Sequence, residues 1–171
     1  MTEKTRKIIK IIIAVLFIAY CYLLFSLLFL RGGAGYIAQF GVFSKERFDA
    51  ICNLIPLKTI ILYFTAMKYG WINNGYALMN IYGNLIAFAP MGLFIPVLFG
   101  RKINRFWKFL LLLVCIILIV EIMQYVTALG SADIDDLLLN TAGGCLIYAI
   151  TKIPIINKFI KELNPQPVPK K

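Results

Sequence analysis

The chain has 171 residues, of which 61% are apolar and only 15% are charged. A soluble domain of this size has too little interior to hide that much apolar surface, so the composition excludes a soluble globular protein. It predicts a protein of the lipid bilayer, and the length predicts a single domain. The net charge of +10 lies mainly beside apolar runs, which is typical of membrane orientation signals and not of nucleic-acid binding.

The first predicted element is a helix over residues 11–30, which follow a basic stretch and carry no charge before Arg31. This run is long enough to cross a hydrocarbon core of about 30 Å. A cleaved signal peptide is the alternative, but its apolar core has about 7–15 residues and ends at small residues. The longer run and the arginine at its end favour an uncleaved spanning helix.

A mixed segment follows, with glycines and a charged patch at 45–49. Apolar residues then recur at positions 57, 60, 61 and 64, which places them on one face of a helix over 57–69. This helix ends at Gly70 and is too short to cross a bilayer. We therefore predict an interfacial or re-entrant amphipathic helix in the first extracellular loop.

Three further spans are predicted at about 78–99, 109–129 and 134–153. The first contains Pro90 and Pro96, which are expected to kink it. The second is interrupted only by Glu121, and the third begins after a short acidic turn. An amphipathic helix over 153–163, with lysines opposite its apolar face, suits an anionic inner leaflet. Residues 1–163 would form one membrane domain, and the Pro-rich residues 164–171 a disordered tail.

The distribution of lysine and arginine predicts the orientation. Of the 18, segments 1–10, 101–108 and 152–171 together hold 13, the long loop over 31–68 holds the other five, and the turn after the third span holds none. Since cytoplasmic loops carry the excess of positive charge, both termini should be cytoplasmic. The predicted fold class is an all-α integral membrane protein with four transmembrane helices and an interfacial amphipathic helix.

Under this topology, the polar side chains in or beside the last three spans fall at similar depth. At a rise of about 1.5 Å per residue, all lie within roughly 15 Å of the outer surface. Carboxylates and amides from three helices at one depth indicate a ligand-binding site. The candidate residues are Asn80, Asn84, Glu121, Gln124, Asp133, Asp135, Asp136 and Asn140.

Most of these residues also have a structural role available. The three aspartates suit the amino terminus of a helix, and the three asparagines suit hydrogen bonds between helices. Glu121 differs, because a carboxylate in hydrocarbon costs a few kcal/mol unless it is paired, solvated or protonated. It is the main candidate for a functional group and the candidate catalytic residue, with Gln124 and Asn84 as its expected partners.

The absence of histidine limits the chemistry. It excludes an H-E-x-x-H zinc site, a Ser-His-Asp triad and a Cys-His pair. The four cysteines are widely spaced and indicate neither a disulfide framework nor a zinc site. The sequence requires no cofactor, although Asp133, Asp135 and Asp136 are candidates for oxygen ligands to Mg²⁺ or Ca²⁺.

Several segments of this sequence resemble the VanZ family. They are Asn53–Pro56, Asn80–Asn84 with its continuation through Phe88–Gly92 to Pro96, Glu121–Gln124, and Asp133–Thr141 with Gly143 and Gly144. Many members carry an arginine just before the acidic run, where this chain has Ser131. The resemblance implies a multi-pass protein of the bacterial plasma membrane. It also implies a link to glycopeptide antibiotic resistance, because the family's namesake is associated with lowered susceptibility to teicoplanin-type glycopeptides.

Three functions are compatible with these residues. The first is a non-enzymatic protein of the cell envelope that binds or shields an outer-leaflet ligand, such as a lipid-linked cell-wall precursor or a lipophilic antibiotic. The second is an enzyme acting on a lipid-linked head group, with a metal on the aspartates and Glu121 as general acid or base, although no nucleophile is evident. The third is a proton-linked transporter, for which four helices without an inverted repeat are few unless the chain oligomerises.

Overall fold

The structure, a computed structural model, describes residues 1–30, 44–100, 102–103, 105–127 and 129–165. Within these ranges most of the chain is helical. The helices are α1 (Glu3–Phe29), α2 (Lys45–Ile51), α3 (Lys58–Lys68), α4 (Asn74–Ala87), α5 (Met91–Phe99), α6 (Phe106–Thr127), α7 (Ile134–Ile150) and α8 (Pro154–Leu163). Two short strands, β1 (Cys52–Asn53) and β2 (Ala132–Asp133), pair in parallel.

Among the described residues, three helical segments are long and apolar enough to cross a membrane. They are Glu3–Phe29, Asn74–Phe99 and Phe106–Thr127. A fourth crossing is possible by the same criteria if α7 and α8, which are bent by 88° at a short break, count as one span. The all-α membrane class is thus confirmed, whereas the fourth crossing and the cytoplasmic location of the termini remain predictions.

The second span is interrupted where the sequence predicts a kink. Helical geometry stops after Ala87 and resumes at Met91, just beyond Pro90. Short-range hydrogen bonds cross the break, from Met91 N to Phe88 O at 3.1 Å and from Gly92 N to Ala89 O at 2.9 Å. Pro90 has no N–H to donate to the carbonyl oxygen of Ile86, and the N–H of Ala89 donates to that oxygen instead at 3.1 Å, so the span continues into α5.

Helix α7 packs against α4, α5 and α6. Glycines make this packing close. A Cβ atom added at Gly143 would collide with the carbonyl oxygen of Leu85 in α4, and one added at Gly92 in α5 would collide with the carbonyl oxygen of Gly144. Backbone therefore contacts backbone, as small residues permit at helix interfaces in membranes. The buried side chains of the core are Leu24, Phe88, Met91, Ile95, Phe109, Leu113, Ile117 and Tyr148.

Helix α1 covers only one side of this core. Within α1 only Leu24 and Phe29 are buried, and most of its large apolar side chains are exposed. The Tyr20 hydroxyl anchors the helix by donating to the carbonyl oxygen of Ala87 at 2.6 Å. Apolar surface exposed in this way is suited to lipid and not to water.

The predicted amphipathic helix of the first loop is present as α3. Its predicted apolar face is not packed against protein, since Leu57, Ile61 and Phe64 are 52%, 60% and 56% exposed. The buried residue of α3 is Ala66. An exposed apolar face on a short helix is what contact with lipid would require.

Ordered structure continues into the region predicted as a tail. Asn164 is 7% exposed, its amide donates to the carbonyl oxygen of Val97 at 2.8 Å, and it accepts from Lys10 Nζ at 2.8 Å. Both partners are remote in sequence, so no local pattern indicated them. Residues 166–171, the rest of the predicted tail, lie outside the described residues.

The predicted topology can be tested by thiol labelling on intact cells in a cysteine-free background. A cysteine placed at Ser131, which is exposed before β2, should react with an impermeant maleimide. One placed at Asn104, in the basic loop, should react only after the cells are permeabilised. Labelling of position 104 together with protection of position 131 would reverse the orientation and move the acidic turn to the cytoplasm.

Candidate functional site

The acidic run lies where β2 passes into α7. Asp133 has extended backbone geometry and caps the helix, accepting a hydrogen bond from the backbone N–H of Asp135 at 2.8 Å. Aspartate is among the best residues for this position. The capping role expected of the run therefore belongs to Asp133, which leaves the two aspartates after it available for other contacts.

Asp135 is fully buried and holds the beginning of α3. Its carboxylate accepts from the backbone N–H groups of Leu57 at 2.5 Å, Thr59 at 2.8 Å and Ile60 at 3.1 Å. The first N–H groups of a helix have no acceptor within that helix. Here the carboxylate of Asp135, from a remote segment, is their acceptor. The site thus joins the first loop to the start of α7.

The turn that enters α3 has an unfavourable conformation. Leu57 has φ 66° and ψ −1°, and Lys58 N donates to Ile55 O at 3.3 Å, the geometry of a type II turn with Pro56 at its second position. A residue with a Cβ loses roughly 1–2 kcal/mol in the left-handed region. The hydrogen bond from Leu57 N to Asp135 offsets part of this cost.

Asn53 and Thr59 enclose the carboxylate of Asp133. Asn53 lies opposite Asp133 in the paired strands and donates its amide to Oδ1 at 2.9 Å, while the Thr59 hydroxyl donates to Oδ2 at 2.5 Å. Neither residue was among the predicted site residues. The Asn53–Pro56 segment of the family resemblance was the available signal, but it named no partner for Asn53.

Asp136 contacts the second span. Its Oδ1 accepts a short hydrogen bond from the side-chain amide of Asn84 in α4. The same two helices are also in close contact at Gly143, which lies against the carbonyl oxygen of Leu85. Two of the predicted site residues, from helices distant in sequence, are in direct contact.

Glu121 lies in α6 beside this network. It is 8% exposed, and its Oε2 accepts a long hydrogen bond of 3.4 Å from the backbone N–H of Asp133. The carboxyl groups of Glu121 and Asp136 are also close enough to interact electrostatically. Its expected partners are engaged elsewhere, since Asn84 bonds Asp136 and Gln124 donates to the carbonyl oxygen of Leu28 at 3.2 Å.

The side chains of the other two predicted asparagines, Asn80 and Asn140, make no hydrogen bond to the acidic run or to Glu121. Asn80 donates to the carbonyl oxygen of Tyr76 in its own helix at 2.8 Å. Asn140 is buried, and its side-chain oxygen has no hydrogen-bond partner. The contacts above therefore connect Asn84, Glu121 and the three aspartates, with Asn53 and Thr59 added.

The oxygen atoms of the acidic run are largely committed to the protein. Both oxygens of Asp133 and both of Asp135 accept hydrogen bonds from backbone or side-chain donors. Across the described part of the chain, no group of three or more His, Cys, Asp or Glu side chains is arranged to hold a metal ion. Of the candidate metal ligands, Asp136 has one oxygen engaged by Asn84.

A cleft of about 160 Å³ opens between α6, the acidic turn and the chain after β1. Its walls are almost entirely apolar, and Glu121 and Asp133 belong to its lining mainly through their carbon atoms. The apolar lining residues are Leu54, Leu118, Ile122, Ala132, Ile134 and Leu137. Such a combination suits an apolar group that carries a hydrogen-bond donor or a positive charge.

Comparison with known proteins identifies relatives of this chain. A family model described as VanZ/LLP1 matches residues 17–157. Protein VanZ of Enterococcus faecium is 43% identical over 63 residues, which are 37% of this chain and 38% of that protein. That match therefore covers well under half the length of either protein. No solved structure matches the chain.

The contacts of Asp135 predict a difference between two neighbouring substitutions. Asp135→Asn places an amide donor against at least one of the backbone N–H groups, and each buried donor left unpaired costs about 1–3 kcal/mol. Asp136→Asn can still accept from Asn84 and removes a charge from a low-dielectric region, so it should cost less than about 1 kcal/mol.

Thermal unfolding of the purified protein in detergent measures this difference. Asp135→Asn should melt several degrees below the wild type, and Asp136→Asn should remain near it. Equal melting temperatures for all three proteins would mean that Asp135 does not hold α3.

Proposed function

This chain belongs to the VanZ/LLP1 family, and on that premise we propose that it binds or shields a lipophilic or lipid-linked ligand at the outer leaflet of a bacterial plasma membrane. In this proposal the ligand occupies the cleft beside Glu121, and no covalent chemistry is needed. The ligand classes are a lipid-linked cell-wall precursor and a lipophilic antibiotic of the teicoplanin type.

One observation carries the proposal, namely the position of Glu121 on an apolar cleft. A carboxylate can accept hydrogen bonds at about four lone-pair sites. The contact of Glu121 with the backbone N–H of Asp133 is long, at 3.4 Å, whereas the oxygens of Asp133 and Asp135 accept bonds of 2.5–3.1 Å. Glu121 therefore keeps capacity for a ligand that the two aspartates have used for the fold.

The chemistry of the cleft restricts the ligand. Apolar walls favour an acyl chain or another hydrocarbon group, because burial of apolar surface stabilises binding by about 25 cal/mol per Å². A buried carboxylate favours an ammonium, amide N–H or hydroxyl and disfavours a phosphate. A lipid-linked precursor would consequently place its sugar or peptide portion at Glu121 and its pyrophosphate elsewhere.

The enzymatic alternative has less support. It needs either a metal ion on the aspartates or an activated nucleophile. The oxygens of Asp133 and Asp135 are engaged by N–H and O–H donors, so a metal there would have to displace contacts that hold α3. A binding function needs no such rearrangement.

If Glu121 and Asp136 act together, their substitutions should be non-additive. The phenotype is the rise in teicoplanin resistance when the chain is expressed in a susceptible bacterium. Glu121→Gln and Asp136→Asn preserve the shape of the side chain, so the protein should reach the membrane at unchanged abundance. Each removes a carboxylate of the site, so each should abolish the rise in resistance. The double variant should be no worse than either single, as expected for groups of one site.

Glu46→Gln is the matched control, because Glu46 is an exposed carboxylate in α2. It should retain the full phenotype. Additive losses would refute a shared site. Loss of Glu121→Gln or Asp136→Asn protein from the membrane would assign these carboxylates to folding instead.

Drug selectivity tests the ligand class. Deletion of the chain from its native host should lower the inhibitory concentration of teicoplanin-type lipoglycopeptides more than that of vancomycin, because only the former carry a hydrocarbon chain for the apolar cleft. Broth dilution measures both shifts in parallel. Equal shifts for the two drugs, or none for either, would contradict a lipophilic antibiotic as the ligand.

A further inference from the structure

A second cleft lies at the other end of α7, remote from the acidic run. It has a volume of about 280 Å³ and is formed between α8 and the end of α5. Its polar lining consists of Lys152, Asn157, Lys161 and Asn164, and the backbone at Gly100 closes one side. This cleft shares no residue with the cleft beside Glu121.

Positive charge converges on this cleft. Lys152 and Lys161 belong to its lining, and Lys10 of α1 reaches its edge by donating to Asn164 at 2.8 Å. Lys152 is held in place, since its ammonium lies 4.2 Å from the centre of the Tyr148 ring. No acidic side chain of the described residues lines this cleft, while Glu162 lines the adjoining one together with Lys152 and Lys161. The charged groups of the cleft itself are therefore all ammonium groups, which attract anions.

The orientation of α8 places the cleft where lipid head groups would be. The chain turns by 88° between α7 and α8. Helix α8 exposes Ile155 by 82% and Phe159 by 45%, while its Lys161 lines the cleft. A helix across the end of a span, with exposed apolar residues and lysines, is suited to the boundary between head groups and acyl chains.

We propose that the cleft between α8 and α5 binds the phosphate group of an anionic membrane phospholipid. Lys152 and Lys161 would neutralise the phosphate, and the Asn157 amide would donate a hydrogen bond to it. Basic pockets beside membrane spans are suited to this ligand, because lysines near the membrane surface attract anionic head groups. The proposal is independent of any ligand at Glu121.

Thermal unfolding of the full chain in a neutral detergent tests the site. Short-chain phosphatidylglycerol, short-chain phosphatidylcholine and inorganic phosphate are titrated separately, at constant ionic strength. Phosphatidylglycerol should raise the melting temperature saturably, whereas the other two should have little effect. The double variant Lys152→Gln/Lys161→Gln should bind phosphatidylglycerol about 10-fold or more weakly.

Lys158→Gln is the matched control, because Lys158 lies on the same helix but does not line this cleft. Its affinity should stay within about twofold of the wild type, since an exposed charge is largely screened. Each single variant of Lys152 and Lys161 should be intermediate, which provides a second measurement should the double variant be unstable.

Three results would overturn the proposal. Equal stabilisation by phosphatidylcholine would remove the role of charge. A loss in Lys158→Gln as large as in the double variant would indicate a diffuse surface effect. Binding of inorganic phosphate as tight as that of phosphatidylglycerol would make a free anion, and not a membrane lipid, the occupant.

Discussion

The buried carboxylate of Asp135 is the constraint on which the acidic end of the molecule depends. An acidic side chain with no exposed surface is tolerated only when its oxygen atoms have hydrogen-bond partners, and here three backbone N–H groups of the first loop donate to them. The same contacts fix the start of α3 and support the left-handed Leu57. They also keep β1 beside β2, which brings Asn53 and Thr59 onto Asp133.

This use of the two aspartates explains why the neighbouring carboxylates differ from them. Both oxygens of Asp133 and of Asp135 accept hydrogen bonds from the protein, so these carboxyl groups are used to hold the fold. Glu121 receives one long contact, and Asp136 is bound by Asn84 of α4, which also meets α7 closely at Gly143. The packing therefore leaves Glu121 beside the apolar cleft, whereas Asp136 interacts electrostatically with Glu121 and does not itself line the cleft. We assign ligand binding to this pair.

Hydropathy predicted most of the helical architecture, since a spanning helix requires a long apolar run whatever its partners are. The site was predictable only as a set of residue types at one depth. The contacts of Asp135 could not be foreseen, because its partners are backbone N–H groups, which have no sequence signature. The partners of Gln124 and Asn164 could not be foreseen either, because their side-chain amides donate to backbone carbonyl oxygens. Leu57 gave no signal either, since glycine is the residue expected at positive φ.

The central claim is that Glu121, which borders the apolar cleft, can be reached by a ligand from the bilayer, whereas Asp135, which has no exposed surface, cannot. Reaction of membranes with a lipophilic carbodiimide, followed by peptide mass spectrometry, measures which carboxyl groups can be reached from the bilayer. We predict an adduct on Glu121, its loss in Glu121→Gln, and no adduct on Asp135. Modification of Asp135 as rapid as that of Glu121, or an unmodified Glu121, would contradict the account.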